Sequence, residues 1–219
     1  FKVNPKIYLK DPESSESGKE IIKHSIDLIN KLGYEHFTFK KLADNINTTE
    51  ATIYRYFINK YSLLLYILNW YWCYMEFLLS IKLINVLDKK EKLIIAIDLL
   101  TSPLYDLEGL NNYSKEALNE IVITESCKTY LIKEVSEINK NQVFKPYKDL
   151  CASIALIISE NNETYKYPKS LATTIIESSH QQQFFSKNLI RLTDVSDRES
   201  TNFTKNYIQD FVFKILNIL

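Results

Sequence analysis

The stretch Thr38-Phe39-Lys40-Lys41-Leu42-Ala43-Asp44-Asn45-Ile46-Asn47-Thr48-Thr49-Glu50-Ala51-Thr52-Ile53-Tyr54-Arg55-Tyr56-Phe57 decides the fold of this 219-residue chain. Phe39, Leu42, Ala43 and Ile46 fall at i, i+3, i+4 and i+7, one face of an α-helix, and leave Lys40, Lys41, Asp44 and Asn45 outside. Thr38 is placed to cap that helix, its hydroxyl accepting from an orphan amide of the first turn. Asn47 is the residue that, after Gly, best tolerates the left-handed conformation needed to stop a helix sharply. Thr48 can then cap a second helix, in which Ile53 and Phe57, four apart, turn inward. That leaves Thr49, Glu50, Thr52 and Arg55 outside and Tyr54 near the boundary, while Ala51 lets the backbone approach another surface closely. Two helices so joined form a helix-turn-helix, whose second helix enters the major groove of double-stranded DNA with its N-terminal residues toward base edges.

The helix before them is equally legible. Ser17 and Glu20 have capping-box spacing, and Ile21, Ile22, Ile26, Leu28, Ile29 and Leu32 form a wide apolar face that ends at Gly33. Three helices thus occupy residues 17–60, too small a module to stand without support from the rest of the chain.

The run Gly33, Phe37-Thr38, Leu42-Ala43, Thr52-Ile53-Tyr54-Arg55-Tyr56-Phe57, Asn59-Lys60 and Leu63-Leu64 resembles the DNA-binding domain of the tetracycline-repressor (TetR) family of bacterial transcriptional regulators. The resemblance implies that Thr38, Thr52, Tyr54 and Lys60 hold phosphates. It also implies that Lys40, Thr49, Glu50, Ala51 and Arg55 face bases or flanking backbone; Thr48 and Tyr56 complete the expected DNA-contact set. Two positions depart from the family pattern, Asn47 where Gly is usual and Thr48 where an apolar residue is usual, and both fit the turn. Glu50 could accept from a cytosine amino group, yet one acidic side chain among short polar ones names no operator.

Composition narrows the remaining classes. With 27 Lys and Arg against 27 Asp and Glu, no global field draws the chain to DNA. Between Ser17 and Trp70, seven Lys and Arg oppose five Asp and Glu, a local net charge of +2. One such domain is expected to bind weakly and in a salt-sensitive way, and a dimer usefully, on a roughly palindromic site. Three Gly and five Pro favour long helices over turn-rich β architecture. Those glycines build neither a dinucleotide-binding G-x-G-x-x-G nor a phosphate-cradling G-x-x-x-x-G-K loop. His24, His36 and His180 lack helical metal-site spacing, and no nucleophile elbow is present, so no enzyme activity, cofactor or metal is expected. Cys73, Cys127 and Cys151, odd in number and with no apparent signal peptide, read as reduced thiols of a cytoplasmic protein.

From Tyr61 to Ile81 the chain carries no Lys or Arg and is near the ~20 residues that span a bilayer. Ser62, Asn69 and Glu76, spaced by seven on one stripe, instead suit a soluble helix buried on most sides, and no membrane partner is expected. By the family resemblance this is the fourth helix, joining the two domains. Downstream, helices are expected at Lys89 to Leu100, Tyr113 to Asn139, Pro146 to Asn161 and Lys169 to Leu192. A last one is expected from Ser196, where Ser196 and Glu199 repeat the capping-box spacing.

The expected architecture is all-α. An N-terminal arm spans 1–16, where Phe1, Val3, Ile7 and Leu9 alternate with Lys2, Lys6 and Lys10; the DNA-binding domain spans 17–60, and a helical regulatory and dimerisation domain spans 61–219. The arm could enter a minor groove or pack on its own domain. The family places an effector pocket after the fourth helix, for which Trp72, Met75, Glu76, Tyr105, Tyr130 and Tyr165 are candidates. It also pairs the last two helices across a dimer, which points to Ile176, His180, Phe184, Phe203, Tyr207, Phe211 and Ile215, with Ile175 and Leu189 nearby. The expected function is a dimeric repressor released from its operator by an unknown small-molecule effector. The alternatives are a helical interaction protein whose helix-turn-helix is only structural, and a membrane-associated helical protein.

Overall fold

The structure is a computed structural model that describes residues 2–102, 113–195 and 202–218. It forms two compact units, Phe1–Cys73 with Leu104–Lys145, and Tyr74–Pro103 with Pro146–Leu219. Among the described residues there is no β-strand. These units divide the chain differently from the expected 17–60 and 61–219, because the segment after 113 packs with the N-terminal helices.

In the first unit, Asp11 caps a 3-10 turn at Pro12–Ser14, and Ser15 caps α1 (Glu16–Leu32) by accepting from the Gly18 amide at 3.3 Å. The expected Ser17/Glu20 start is therefore corrected by two residues. Pro12 sets φ for the preceding turn, which delivers Ser15 in the extended conformation a cap needs. The chain then passes so close that a Cβ on Gly18 would lie 2.2 Å from the Pro12 carbonyl oxygen.

Next come α2 (Phe39–Asn45), α3 (Glu50–Tyr54) and α4 (Lys60–Lys82), whose residues up to Cys73 belong to this unit. Asn59 opens α4 reciprocally with Ser62: its Oδ1 takes the Ser62 amide at 2.9 Å and its own amide meets the Ser62 hydroxyl at 3.3 Å. Ile21, Ile22, Ile26, Ile29, Phe37, Leu42, Ile53 and Phe57 are buried in this unit, each contributing about 2 kcal/mol of transfer free energy. Val3 and Ile7 join that core, and Leu9 donates its amide to the Tyr56 carbonyl at 2.7 Å. The N-terminal segment is thus a packed strap rather than a free arm.

The expected long helix from Tyr113 to Asn139 is three helices, α5 being Lys89–Thr101 of the second unit: α6 (Lys115–Glu125), α7 (Cys127–Tyr130) and α8 (Val135–Asn139). Hydroxyls that compete with the helical backbone break it, for the Thr129 Oγ1 donates to the Ser126 carbonyl at 2.7 Å and the chain turns out at Leu131. α6 lies against α1.

The second unit holds α5, α9 (Lys145–Asn161), α10 (Pro168–Asn188) and α11 (Phe203–Leu216), with α5, α10 and α11 mutually packed. Pro168 occupies the first turn of α10, as expected. α10 ends at Asn188 rather than Leu192, and a 3-10 turn at Ile190–Leu192 follows. The Ser196/Glu199 cap lies outside the described residues. Lys205 bridges to Asp98 at 2.6 Å, and Lys92 to Glu160 at 2.8 Å. By length and composition α4 could cross a membrane, but 72% of its most apolar window is buried inside the protein.

Candidate nucleic-acid interface

The geometry of α2, the turn and α3 follows from local chemistry. Thr38 Oγ1 accepts from the Lys41 amide at 3.2 Å, as its position implied. Asn47 stands at φ 51, and the Thr48 amide reaches back to the Ala43 carbonyl at 2.9 Å. That bond spans the last turn in the manner of a Schellman stop and commits Thr48 to ending α2. The cap of α3 is Thr49 instead, whose Oγ1 accepts from the Thr52 amide at 3.3 Å, which corrects the expected role of Thr48.

Inward, Ile53 and Phe57 are buried. Outward, the first turn of α3 presents Thr49, Glu50 and Ala51, with Arg55 one turn on and Lys40 and Lys41 on α2. Thr52 is half-buried and accepts from Arg55 Nη2 at 3.4 Å, which holds the guanidinium along the helix. Tyr54 is 49% exposed, its ring edge-on to Phe39 at 5.0 Å. A small, short-chained helix start flanked by cationic and phenolic groups suits a groove floor with phosphates on either side.

Two expected contacts are placed elsewhere. Tyr56 is buried, its hydroxyl 2.8 Å from Ser15 Oγ and its ring under Lys10 Nζ at 5.1 Å; the Ser15 hydrogen bond lowers its pKa. It ties α1 and the strap to the end of α3 and faces no groove. Lys60 Nζ donates to the carbonyls of Tyr34, Glu35 and Phe37 at 3.0, 3.2 and 3.3 Å and lies 4.5 Å over the Tyr34 ring. An ammonium has three donors, so these bonds occupy all of them in this structure and Lys60 organises the α1–α2 loop. Burial raises the Tyr34 hydroxyl to about 12.

Between α1 and the turn lies a groove of about 580 Å³ lined by Glu16, Glu20, His24, Asn45, Asn47 and Thr52 among others. Its two carboxylates disfavour an anionic occupant. Glu125 and Lys128, on α6 and α7, also reach the α1–α2 loop: Glu125 Oε1 takes the Tyr34 amide at 3.2 Å, and Lys128 Nζ meets Glu125 at 2.8 Å and Glu35 at 3.1 Å. No periodicity in the sequence ties residues so far apart, so neither position stands out from the sequence alone.

The candidate pocket residues divide between the units. Trp72, packed edge-on to Tyr71 at 4.8 Å, and Tyr130, whose hydroxyl is 3.3 Å from Cys127 Sγ, belong to the first. Buried Met75, half-buried Glu76 and Tyr165, in the α9–α10 connection edge-on to Tyr167, belong to the second; Tyr105 lies outside the described residues. Of the candidate dimer residues, Ile176 and His180 are fully interior to the second unit. Phe184 is half-buried beside Phe185. Phe203, Tyr207, Phe211 and Ile215 form an outward stripe on α11, beside the buried stripe Thr204, Ile208, Val212 and Leu216. Phe203 and Tyr207 stack at 6.3 Å, and Tyr207 and Phe211 lie 5.7 Å apart. Among the described residues no cluster of three or more His, Cys, Asp or Glu could hold a metal ion.

Residues 21–67 match the family model described as bacterial regulatory proteins, tetR family. Comparison with curated proteins finds no match. Among solved structures, AibR in complex with isovaleryl coenzyme A and operator DNA is similar, with a TM-score of 0.53 at 19% sequence identity over 90% of this chain and 97% of that one. That likeness extends the shared all-α fold well beyond the matched segment. The match in sequence is thus confined to the helix-turn-helix segment of the N-terminal unit, which is similar to the tetR family of bacterial regulatory proteins, and the likeness to AibR is one of all-α fold.

Proposed function

We propose that this protein is a homodimeric transcriptional repressor that binds a roughly palindromic operator and leaves it when a small-molecule effector binds. The observation that carries the reading is the exposed first turn of α3, Thr49, Glu50 and Ala51, flanked by Tyr54, Arg55 and Lys40 within the tetR-family segment. In this reading α3 lies in the major groove, with Glu50 and Ala51 facing base edges and Thr38, Thr52, Tyr54 and Arg55 on phosphates. A DNA partner puts the protein in the cytoplasm. The outward aromatic stripe of α11 supports pairing of two copies, which spaces two recognition helices on one face of the duplex. AibR's complex with both an acyl-coenzyme A and operator DNA supports a small organic effector. Such an effector acts only by binding the DNA-free conformation more tightly than the DNA-bound one.

The test is selection of bound duplexes from a random pool by the purified protein, followed by anisotropy titration of the selected duplex at several salt concentrations. The expected result is a selected sequence with two-fold symmetry and an affinity that falls steeply with salt. Failure to enrich any sequence would sink the reading and leave a helix-turn-helix used for protein contacts.

A further inference from the structure

We infer that Glu125 and Lys128, which lie outside the tetR-family segment, are positioning residues for the DNA-binding face, acting through the α1–α2 loop. The inference rests on the DNA-binding reading above and names residues that reading does not use.

The loop from Gly33 to Thr38 decides where α2 begins. Gly33 turns the chain at φ 77, Phe37 is buried edge-on to Phe39 at 6.4 Å, and Thr38 caps α2. Through α2 the loop also sets α3, since Tyr54 rests on Phe39. This loop is gripped from two sides. From α4, Lys60 takes the carbonyls of Tyr34, Glu35 and Phe37. From α6 and α7, buried Glu125 takes the Tyr34 amide, and Lys128 joins Glu125 to Glu35. Tyr61, next to Lys60, donates its hydroxyl to the Thr129 carbonyl at 2.8 Å and so ties the two grips together.

Each member satisfies another. Glu125 is the acceptor for a main-chain amide at the end of α1, and Lys128 supplies the positive charge that a buried carboxylate requires. Hydrogen bonding to Glu125 raises the Lys128 pKa, and the Lys128 bond lowers that of Glu35. Removing Lys128 leaves Glu125 without its ion-pair partner; neutralising Glu125 as Gln deprives Lys128 of the same pair and weakens the acceptor at the Tyr34 amide. Either change loosens the segment from which α2 and α3 are hung, without touching a group that faces DNA.

The test compares Lys128→Met, Lys128→Arg and Glu125→Gln with Lys133→Met, which removes an exposed charge from the same segment. Affinity for the selected duplex is measured across a salt series, and amide hydrogen exchange is followed across the chain. Lys128→Met and Glu125→Gln are expected to weaken binding by about three- to tenfold with the salt slope unchanged, because no phosphate contact is lost. Lys128→Arg keeps the ion pair and near wild-type affinity, and Lys133→Met has no effect. Exchange should quicken at residues 34–55 and stay unchanged in α9 to α11. A salt slope reduced by about one for Lys128→Met would make Lys128 a direct phosphate contact and overturn the inference. So would wild-type affinity, or wild-type exchange at residues 34–55, in the folded variants. If the wild-type protein selects no duplex, the DNA reading fails, and the exchange measurement still decides whether the clasp holds the loop.

Discussion

The ring of Tyr54 stands edge-on to the ring of Phe39 at 5.0 Å, so the flank of α3 is braced by the first residue of α2. The brace leaves the phenol half-exposed and fixes its direction, which would lower the conformational entropy lost in the proposed contact of its hydroxyl with a phosphate. Tyr54→Phe keeps the ring pair and deletes the donor. It should weaken duplex binding about tenfold, the scale of one hydrogen bond to a charged group, with no change in thermal unfolding. Tyr54→Ala should bind still more weakly and also lose about 1 kcal/mol of stability with the aromatic pair. Anisotropy and calorimetry on the two variants separate the contributions, and equal affinity of Tyr54→Phe and wild type would remove Tyr54 from the phosphate contacts.

Two backbone positions make opposite demands on side-chain size. At Asn47, φ 51 costs an ordinary residue about 1 kcal/mol or more, so Asn47→Gly should be neutral or slightly stabilising and Asn47→Ala destabilising by about that amount. At Gly18 the obstacle is space: an added Cβ would meet the Pro12 carbonyl oxygen at 2.2 Å, a main-chain atom that cannot rotate away. Gly18→Ala should cost about 1–3 kcal/mol in urea unfolding and loosen the Ser15 to Tyr56 bond. An unaffected midpoint for Gly18→Ala would show that the strap is not held against α1 in solution.

Local signals carried the helix-turn-helix, and the signals that failed were those whose partners lie far along the chain. Thr38 and Asn47 take the roles their chemistry suggests because a cap and a left-handed stop are settled within four residues. The start of α3 moved from Thr48 to Thr49 because the Thr48 amide closes α2, and two adjacent threonines offer no way to choose between them. Lys60 and Tyr56 keep their family positions in the sequence, yet tertiary neighbours consume both. Glu125 and Lys128 are spaced three apart, like any surface ion pair on a helix; only the fold shows that they hold a loop ninety residues away. Ile176 and His180 lie on an apolar face, and periodicity says that a face is covered without saying whether its own unit or a second copy covers it.

Burial makes His180 a pH-sensitive element of the second unit. Desolvation lowers its pKa to about 4, while the neighbouring Glu177 pulls the other way. Unfolded, the same imidazole titrates near 6.5, so between about pH 6.5 and 4 the unfolded chain binds a proton that the folded chain refuses. The stabilisation is complete above pH 6.5 and is lost as pH falls, by about 2 kcal/mol at pH 5. His180→Gln removes this proton uptake. Urea unfolding at pH 7.5 and pH 5 should therefore show a stability loss about 2 kcal/mol smaller for the variant than for wild type. Equal losses would mean that His180 is protonated within the folded unit.

On α11 the two neighbouring stripes separate folding from assembly. Thr204, Ile208, Val212 and Leu216 are buried against α5 and α10, whereas Tyr207 and Ile215 remain 43% and 42% exposed with Phe203 and Phe211 beside them. A row of neighbouring aromatics left partly in water favours a self-complementary contact, and two-fold pairing is the commonest way to cover one. Tyr207→Asp with Phe211→Asp puts two like charges onto each copy of that stripe and leaves the inward stripe untouched. The double variant should keep wild-type helicity and sediment as a monomer. Its binding to the selected two-fold duplex should fall by about 100-fold or more, since each half-site must then be occupied independently. Its affinity for a single half-site should stay unchanged, because α2 and α3 are intact. A variant that still sediments as a dimer would move the interface off α11, and one that loses half-site binding as well would show that the substitutions damage the fold rather than the pairing.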